Sequence, residues 1–253
     1  MNKRELMFYN EYEEFYKMAE KSHAFHMFCK AAFGNDFSQD GFSDINQINM
    51  ILPYIPLRDN VHILDIGCGN GKMLGYLQEK TKSFIHGFDY SSNAIRTAKK
   101  RFSKNSEFRV GVIDEIDYPD DCFDTIISMD TIYFTKDMVA FVAKIKRWLK
   151  KDGVFFVGYQ EGDVMPKTNS ASDTVLAKAV ERNGLKYQVT DITKQTYQLL
   201  KQKRKSAILY KKEFEAEQHN SWFDMLMGQT ECAAELFEQF ASKMARYIYV
   251  IRK

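Results

Sequence analysis

Three closely spaced glycines follow a short apolar run in the segment 63–72, which reads ILDIGCGNGK. A glycine-rich turn between a strand and a helix lets a ligand approach the backbone and directs main-chain amides toward it. Asp65 lies two residues before the first glycine, at the predicted strand tip, where a carboxylate can hold an ammonium group. The spacing therefore favours a cofactor that carries an amino acid over one that presents only a pyrophosphate.

Two other nucleotide-binding motifs fit this turn less well. A dinucleotide fold requires Gly-x-Gly-x-x-Gly, and its third glycine position is occupied here by Lys72. A P-loop requires a hydroxyl residue after Gly-Lys to meet magnesium, but Met73 follows Lys72. The sequence thus argues against both NAD and a nucleoside triphosphate.

With this pattern the sequence resembles the class I S-adenosylmethionine-dependent methyltransferases, whose first motif reads hydrophobic-Asp-x-Gly-x-Gly-x-Gly. Asp89 ends the next strand, where that family has the acid that hydrogen-bonds both ribose hydroxyls. Residues 123–128 (FDTIIS) resemble the family's fourth strand, and residues 149–153 (LKKDG) resemble its Leu-Lys-Pro-Gly-Gly turn. The resemblance covers about residues 60–160. It implies S-adenosylmethionine as cofactor and S-adenosylhomocysteine as product.

The resemblance also implies a set of cofactor-binding residues. Cys68 is expected to supply its backbone amide, and the amides of Ile113 and Asp114 are expected to meet the adenine, because Val112 stands where the family often has an acid. The full predicted set is Asp65, Gly67, Cys68, Gly69, Asp89, Tyr90, Ile113, Asp114, Met129 and Gln39.

The acceptor is expected beyond the carboxyl ends of the strands, where open α/β sheets bind ligands. Asp130 and Tyr133 follow the fourth predicted strand and Tyr159 ends the fifth, so these three are the predicted acceptor-facing, catalytic residues. Methyl transfer is an in-line displacement that depends chiefly on alignment and exclusion of water. We expect no metal, because the four cysteines and five histidines show no ligand spacing.

Three further features admit more than one interpretation. The loop 33–41 faintly resembles the amino-terminal lid of phosphoethanolamine methyltransferases, or it is an ordinary helix connector. His23 and His26, one helical turn apart, suit a base or a ligand pair, although exposed or core histidines are favoured. The basic run 201–212 suits an anionic partner, although a solvated helix face is favoured.

Short β-branched runs alternate with helical patterns, which predicts a doubly wound, mostly parallel seven-stranded sheet of the Rossmann-like methyltransferase type. The third strand is predicted at 108–113, the fifth at 154–159, and Ser43 as the cap of a helix ending near Leu52. We expect an N-terminal helical lid (1–56), a cofactor-binding core (57–192), a helical cap insertion (193–245) and a final core strand (246–253). The lid and the insertion are expected to form a mobile cover.

Composition sets the remaining limits. Thirty-six basic and thirty-four acidic residues leave a formal charge of +2, which indicates neither a nucleic acid nor a membrane as the partner. No secretory signal or membrane-spanning run is present in the sequence, so a cytoplasmic protein, monomeric or homodimeric, is expected. A small-molecule methyltransferase is favoured. An RNA or protein methyltransferase, or a non-catalytic cofactor-binding module, are the alternatives.

Overall fold

A seven-stranded sheet forms the centre of the computed structural model, which describes residues 8–253. Its strands are β1 (His62–Ile66), β2 (Phe84–Asp89), β3 (Ser106–Val110), β4 (Phe123–Met129), β5 (Leu149–Glu161), β6 (Lys186–Asp191) and β7 (Ala245–Arg252). They lie in the order β3-β2-β1-β4-β5-β7-β6, and the pairs that β7 makes with β5 and β6 are antiparallel while the others are parallel. The predicted fold class is confirmed.

Helices connect the strands and cover the sheet. They are α1 (Tyr9–Ala19), α2 (His23–Phe33), α3 (Ile45–Asn49), α4 (Lys72–Thr81), α5 (Ser92–Arg101), α6 (Met138–Trp148), α7 (Val175–Arg182), α8 (Thr193–Leu209), α9 (Lys211–Ala216), α10 (Asn220–Gln229) and α11 (Phe237–Lys243). Short 3-10 helices occupy Leu52–Tyr54, Ile132–Phe134, Ala171–Asp173 and Glu231–Ala234. Ser91 begins α5 as an N-cap, since its hydroxyl accepts from the amide of Ala94 at 3.1 Å.

The third strand is shifted from its predicted position. It spans Ser106–Val110 rather than 108–113, because the chain turns at Val112, whose carbonyl accepts from the amides of Glu115 and Ile116. The fifth strand is longer than predicted, since Leu149 already pairs with Phe123.

The cap of α3 also differs from the prediction. Asp44, not Ser43, accepts from the amide of Gln47 at 2.9 Å. The Ser43 hydroxyl instead donates to Asp130 at 3.0 Å, so the residue joins the site described below.

Successive residues of the central strands point into two separate cores. Leu64 and Ile126 belong to the core that contains Trp148 of α6, whereas Ile63 and Ile127 belong to the core beneath α4 and α5. This alternation is the strand period of two, and it leaves both faces of the sheet buried.

A third apolar core joins the two segments predicted as a cover. Phe15 of α1 and Phe28 of α2 pack in one cluster with Leu199 of α8, Phe214 of α9 and Leu226 of α10. The N-terminal helices and the insertion therefore form one layer, which we call the cover layer. Residues 1–7 of the predicted lid lie outside the described residues, and the mobility of the cover layer stays a prediction.

Candidate active site

A cavity of about 910 Å³ lies between the cover layer and the carboxyl ends of the central strands. The cover layer contributes, among others, Tyr12, Tyr16, Trp222 and Met225. Of the predicted site residues, Tyr159 is absent from the wall. The structure brings the others together around this cavity: Gln39, Asp65, Gly67, Cys68, Gly69, Asp89, Tyr90, Ile113, Asp114, Met129, Asp130 and Tyr133.

The glycine turn after β1 uses backbone conformations that favour glycine. Gly67, Gly69 and Gly71 have φ angles of 76°, 53° and 79°. The amides of Gly67 and Cys68 donate to the Phe88 carbonyl of β2 at 2.9 and 3.0 Å. The prediction that Cys68 offers its amide to the ligand is therefore wrong, because the neighbouring strand already accepts that amide.

The same turn is closely approached by the N-terminal helix. A Cβ atom added to Gly69 would lie 2.4 Å from the Tyr16 hydroxyl oxygen. The position of the second glycine of the motif is therefore closed to side chains both by its backbone conformation and by its neighbour from α1.

Asp89 is fixed at the tip of β2 by backbone donors. Its Oδ2 accepts from the amide of Gly69 at 3.0 Å, and its Oδ1 accepts from the amide of Ser91 at 2.8 Å. Burial raises the pKa of this carboxyl to about 6, against the lowering effect of the two amides. Each oxygen keeps a lone pair for a further donor in the cavity.

Asp65 and Asn70 carry unpartnered polar groups into the cavity wall. Asp65 is 2% exposed, and within residues 8–253 no group donates a hydrogen bond to its carboxylate. Burial, together with the charge of Asp89, raises the pKa of Asp65 well above its usual range. Among the described residues, the buried Nδ2 of Asn70 also has no acceptor. Leaving a buried acceptor and a buried donor unpaired is costly, so both groups point to a ligand.

The turn after β3 supplies two free main-chain donors. In the described part of the chain, the amides of Ile113 and Asp114 donate to no protein group. The Asp114 carboxylate is engaged elsewhere, by the Thr135 hydroxyl and by the Lys136 amide at 3.0 Å. The geometry is compatible with the prediction that these two residues contribute amides and not side chains.

Asp130 is held by a buried arginine that sequence analysis missed. Both Asp130 oxygens accept from the Arg246 guanidinium, and Oδ2 also accepts from the Phe42 amide and the Ser43 hydroxyl. Arg246 of β7 is 1% exposed. A carboxylate occupied by so many donors is poorly suited to act as a base. Asp130 does border the cavity, and its acceptor-facing, catalytic role stays a prediction.

The two predicted tyrosines lie on opposite sides of the wall. Tyr133 borders the cavity, and burial raises the pKa of its hydroxyl. Tyr159 is fully buried in the core and contacts Tyr133 and Tyr249 edge to face. The prediction that Tyr159 faces the acceptor is therefore wrong. Adjacent residues of a strand point to opposite faces of the sheet, and in β5 it is the preceding residue, Gly158, that faces Met129 and Arg246.

The loop between α2 and α3 is attached to the glycine turn by Lys72. The Lys72 ammonium donates to Asp36 and to the Ser38 hydroxyl, each at 2.7 Å, and Asp36 also contacts Nδ1 of His26 at 2.8 Å. His26 thus supports the loop and does not reach the cavity. Within this loop, Gln39 accepts from the Phe37 amide at 3.0 Å.

A second polar chain, also missed, lies at the insertion. Gln229 of α10 donates to Asp40 Oδ1 at 2.9 Å and accepts from the Lys203 ammonium at 2.7 Å. Lys203 is 1% exposed, so the prediction of a solvated face fails for this lysine although Lys201 and Lys205 are exposed. Lys203 differs from these exposed lysines because it lies on the side of α8 that faces α2.

The described residues contain neither a metal-binding cluster nor a membrane-spanning helix. No group of three or more His, Cys, Asp or Glu side chains in residues 8–253 is arranged to hold a metal ion. The prediction that no metal is required stays a prediction. In the same part of the chain, every helix is too short or too polar to cross a bilayer.

Comparison with known proteins identifies the family. Residues 57–224, more than half of the chain, match the family of methyltransferase domains. Phosphoethanolamine N-methyltransferase 1 of Arabidopsis thaliana is 34% identical over 143 residues, which are 55% of this chain and 28% of that protein. Phosphoethanolamine N-methyltransferase of Plasmodium falciparum is 31% identical over 129 residues, which are 49% of this chain and 48% of that protein. The chain spans less than half the length of these relatives.

Solved structures extend the likeness to nearly the whole chain. Phosphoethanolamine N-methyltransferase 2 of Haemonchus contortus, in complex with phosphomonomethylethanolamine and S-adenosylhomocysteine, matches with a TM-score of 0.75 and 20% identity over 95% of this chain and 59% of that chain. The cyclopropane synthase MmaA2 of Mycobacterium tuberculosis matches with a TM-score of 0.72 and 15% identity over 96% and 98%. The chain therefore belongs to the methyltransferase domain family and has the fold of the class I S-adenosylmethionine-dependent methyltransferases.

Proposed function

We propose that the cavity binds S-adenosylmethionine and that the protein transfers its methyl group to a small-molecule acceptor. The observation that carries this proposal is the meeting of the glycine turn with three polar groups that have spare hydrogen-bonding capacity, on Asp65, Asn70 and Asp89. Asp65 would accept from the cofactor's ammonium group, Asn70 would donate to its carboxylate, and Asp89 would accept from the ribose hydroxyls. The site thus fits both the amino acid and the nucleoside of the cofactor.

When bound, the cofactor supplies a sulfonium-activated methyl group. The protein's part is to hold donor and acceptor in line and to keep water away. Tyr12 and Tyr16 of α1 and Trp222 of α10 close the cavity from the side opposite the sheet. The cover layer therefore excludes solvent from the place where the acceptor must lie.

The size of the cavity supports a small acceptor. Its volume of about 910 Å³ is within the range of ligand pockets, roughly 300–1,000 Å³, and it must contain the cofactor as well. The relatives named above support the same class, since they are named for methylation of phosphoethanolamine. A macromolecular acceptor would have to insert a single group beneath the cover layer.

A metabolite screen tests the proposed transfer. The protein is incubated with S-adenosylmethionine and pools of small metabolites, and S-adenosylhomocysteine release is measured. We expect release that depends on one class of small molecule and that is at least tenfold slower in Asp89→Ala at limiting cofactor. Release stimulated by RNA or protein, and by no small molecule, would contradict the proposal.

A further inference from the structure

The cavity wall is strongly acidic. Among the described lining residues, the one Lys or Arg is the exposed Lys136. Seven acids line the same cavity: Glu11, Asp40, Asp65, Asp89, Asp114, Asp130 and Asp163. A cleft lined by one sign of charge concentrates ligands of the opposite sign and repels anions.

Two buried cations lie behind this wall, and both are engaged. The Lys203 ammonium donates to Gln229 at 2.7 Å and lies over the rings of Phe33 and Phe42 at 5.8 and 5.7 Å. The Arg246 guanidinium is bound by Asp130. Neither side chain borders the cavity. Among the described lining residues, a phosphate group on the acceptor would therefore meet one exposed lysine, Lys136, against seven carboxyl groups, although it needs several cationic donors.

Asp40 is a lining acid with a free oxygen beside the cover layer. Its Oδ1 accepts from Gln229 at 2.9 Å, while its Oδ2 accepts from no group in the part of the chain that the structure describes. Burial raises the pKa of this carboxyl, and the charge of Lys203 opposes the shift. The pKa of Tyr12 is raised chiefly by burial and, to a smaller extent, by the nearby charge of Asp40.

Aromatic rings surround the same region. Tyr12 packs against Tyr16 and Tyr90, with ring centroids 6.3 and 6.0 Å apart, and Phe42 and Trp222 line the cavity as well. Aromatic faces attract cations, and ring faces together with a carboxylate are the groups that recognise an amine.

We propose that the methyl acceptor is a primary or secondary amine without a phosphate group, and that Asp40 Oδ2 accepts a hydrogen bond from its nitrogen. The inference rests on the proposed function. The acceptor reacts as the neutral amine, after its ammonium form has released a proton to solvent. In the transfer, the nitrogen lone pair forms the new bond to the methyl carbon as the carbon–sulfur bond breaks, and the electron pair of that bond stays on sulfur. Positive charge moves from sulfur to nitrogen, and the product leaves as an ammonium ion. Asp40 stabilises this charge as it develops.

The test uses the full chain and compares defined acceptors. S-Adenosylhomocysteine release is measured with a set of primary and secondary alkylamines and arylalkylamines, ethanolamine among them, and with phosphoethanolamine. We expect turnover with at least one free amine, and kcat/KM at least tenfold lower for phosphoethanolamine. Preference for phosphoethanolamine would overturn the inference, as would a lack of turnover with every free amine while S-adenosylhomocysteine still binds. Failure of S-adenosylhomocysteine to bind would instead overturn the proposed function.

Variants assign the contact to Asp40. Asp40→Asn keeps the size of the side chain and its bond from Gln229 but removes the charge. We expect kcat with the preferred amine to fall at least tenfold while the affinity for S-adenosylhomocysteine changes less than threefold. Asp224→Asn, an exposed position on α10, makes the same chemical change away from the cavity and should leave both unchanged. An equal loss of cofactor affinity in Asp40→Asn, or full activity, would overturn the assignment.

Discussion

Gly69 is the position at which the glycine turn and the N-terminal helix are in closest contact. In Gly69→Ala the new methyl group would meet the Tyr16 hydroxyl at 2.4 Å in a backbone conformation that disfavours a side chain. We expect a loss of unfolding free energy beyond the roughly 1 kcal/mol of backbone strain, together with at least tenfold weaker cofactor binding. Urea denaturation and calorimetry measure the two effects.

Gly184 provides the matched control for this substitution. Its φ angle is 65°, and nothing lies within 4 Å of an added Cβ atom. Gly184→Ala should therefore show the strain alone and bind cofactor normally. Equal effects of the two substitutions would contradict the close approach of Tyr16 to the turn.

The raised pKa of Asp89 predicts a pH dependence of cofactor binding. The pKa of about 6 lies above the value near 4 of an unfolded aspartate, so the native protein loses stability relative to the unfolded chain as pH rises from about 4 to 6. The ionised form is the one that accepts from both ribose hydroxyls. We expect affinity for S-adenosylhomocysteine to rise about tenfold from pH 5 to pH 8, measured by calorimetry. If Asp89→Asn retained the full dependence, another group would be responsible.

For individual residues, type and spacing in the sequence predict much of the site. Asp65, Asp89, Gly67 and Gly69 lie around one cavity as the motif indicates. The amide of Cys68 could not be assigned from sequence, because its acceptor depends on the pairing of β1 with β2. Asn70 was missed because the sequence around a glycine turn does not indicate which way an amide side chain inside the turn points.

At the scale of elements, the ion pair between β7 and the loop after β4 joins distant parts of the chain. Arg246→Met would leave Asp130 without its main counter-ion while Ser43 and Phe42 still donate to it. Removing one partner of a buried pair costs about 3–5 kcal/mol, and we expect a loss of that order in urea denaturation. Replacing both partners, in Arg246→Met with Asp130→Asn, should recover part of it.

A partly exposed arginine supplies the comparison. Arg147 pairs with Asp117 and Asp120 on the surface, so Arg147→Met should change stability little. Destabilisation by Arg246→Met no greater than that by Arg147→Met would show that the buried pair does not hold the wall.

Element types followed from periodicity, but their ends and their buried charges did not. The β5 strand begins early because Leu149 pairs with Phe123, a contact made across the sheet. Lys203 lies in a run of basic residues that resembles a solvated helix face. It is nevertheless buried, because it packs against α2. Arg246 opened a predicted apolar strand without being recognised as the partner of an acid.

At the scale of the whole molecule, the cover layer is predicted to open and close. Two features suggest that ligand binding would order it: Lys72 connects its loop to the glycine turn, and Tyr16 contacts Gly69. We expect hydrogen exchange in residues 8–43 and 193–244 to slow when S-adenosylhomocysteine binds. Protection confined to residues 60–160 would contradict a mobile cover, and protection that is constant with and without ligand would indicate a fixed layer.

The global topology was predictable because alternating strands and helices permit few arrangements. That the N-terminal helices and the insertion meet in one core was expected only from their unpaired apolar residues. The specific partners, such as Phe15 with Trp222 at 5.7 Å, depend on tertiary packing that no local period encodes.

Calorimetric titration of the full chain with S-adenosylhomocysteine tests whether the cavity binds S-adenosylmethionine. Wild type should bind it more tightly than NAD, and Asp89→Ala, folded as judged by circular dichroism, should bind at least tenfold more weakly because charge-assisted bonds to ribose are lost. Tighter binding of NAD, or unchanged affinity in the folded Asp89→Ala variant, would contradict the assignment of this cavity to S-adenosylmethionine.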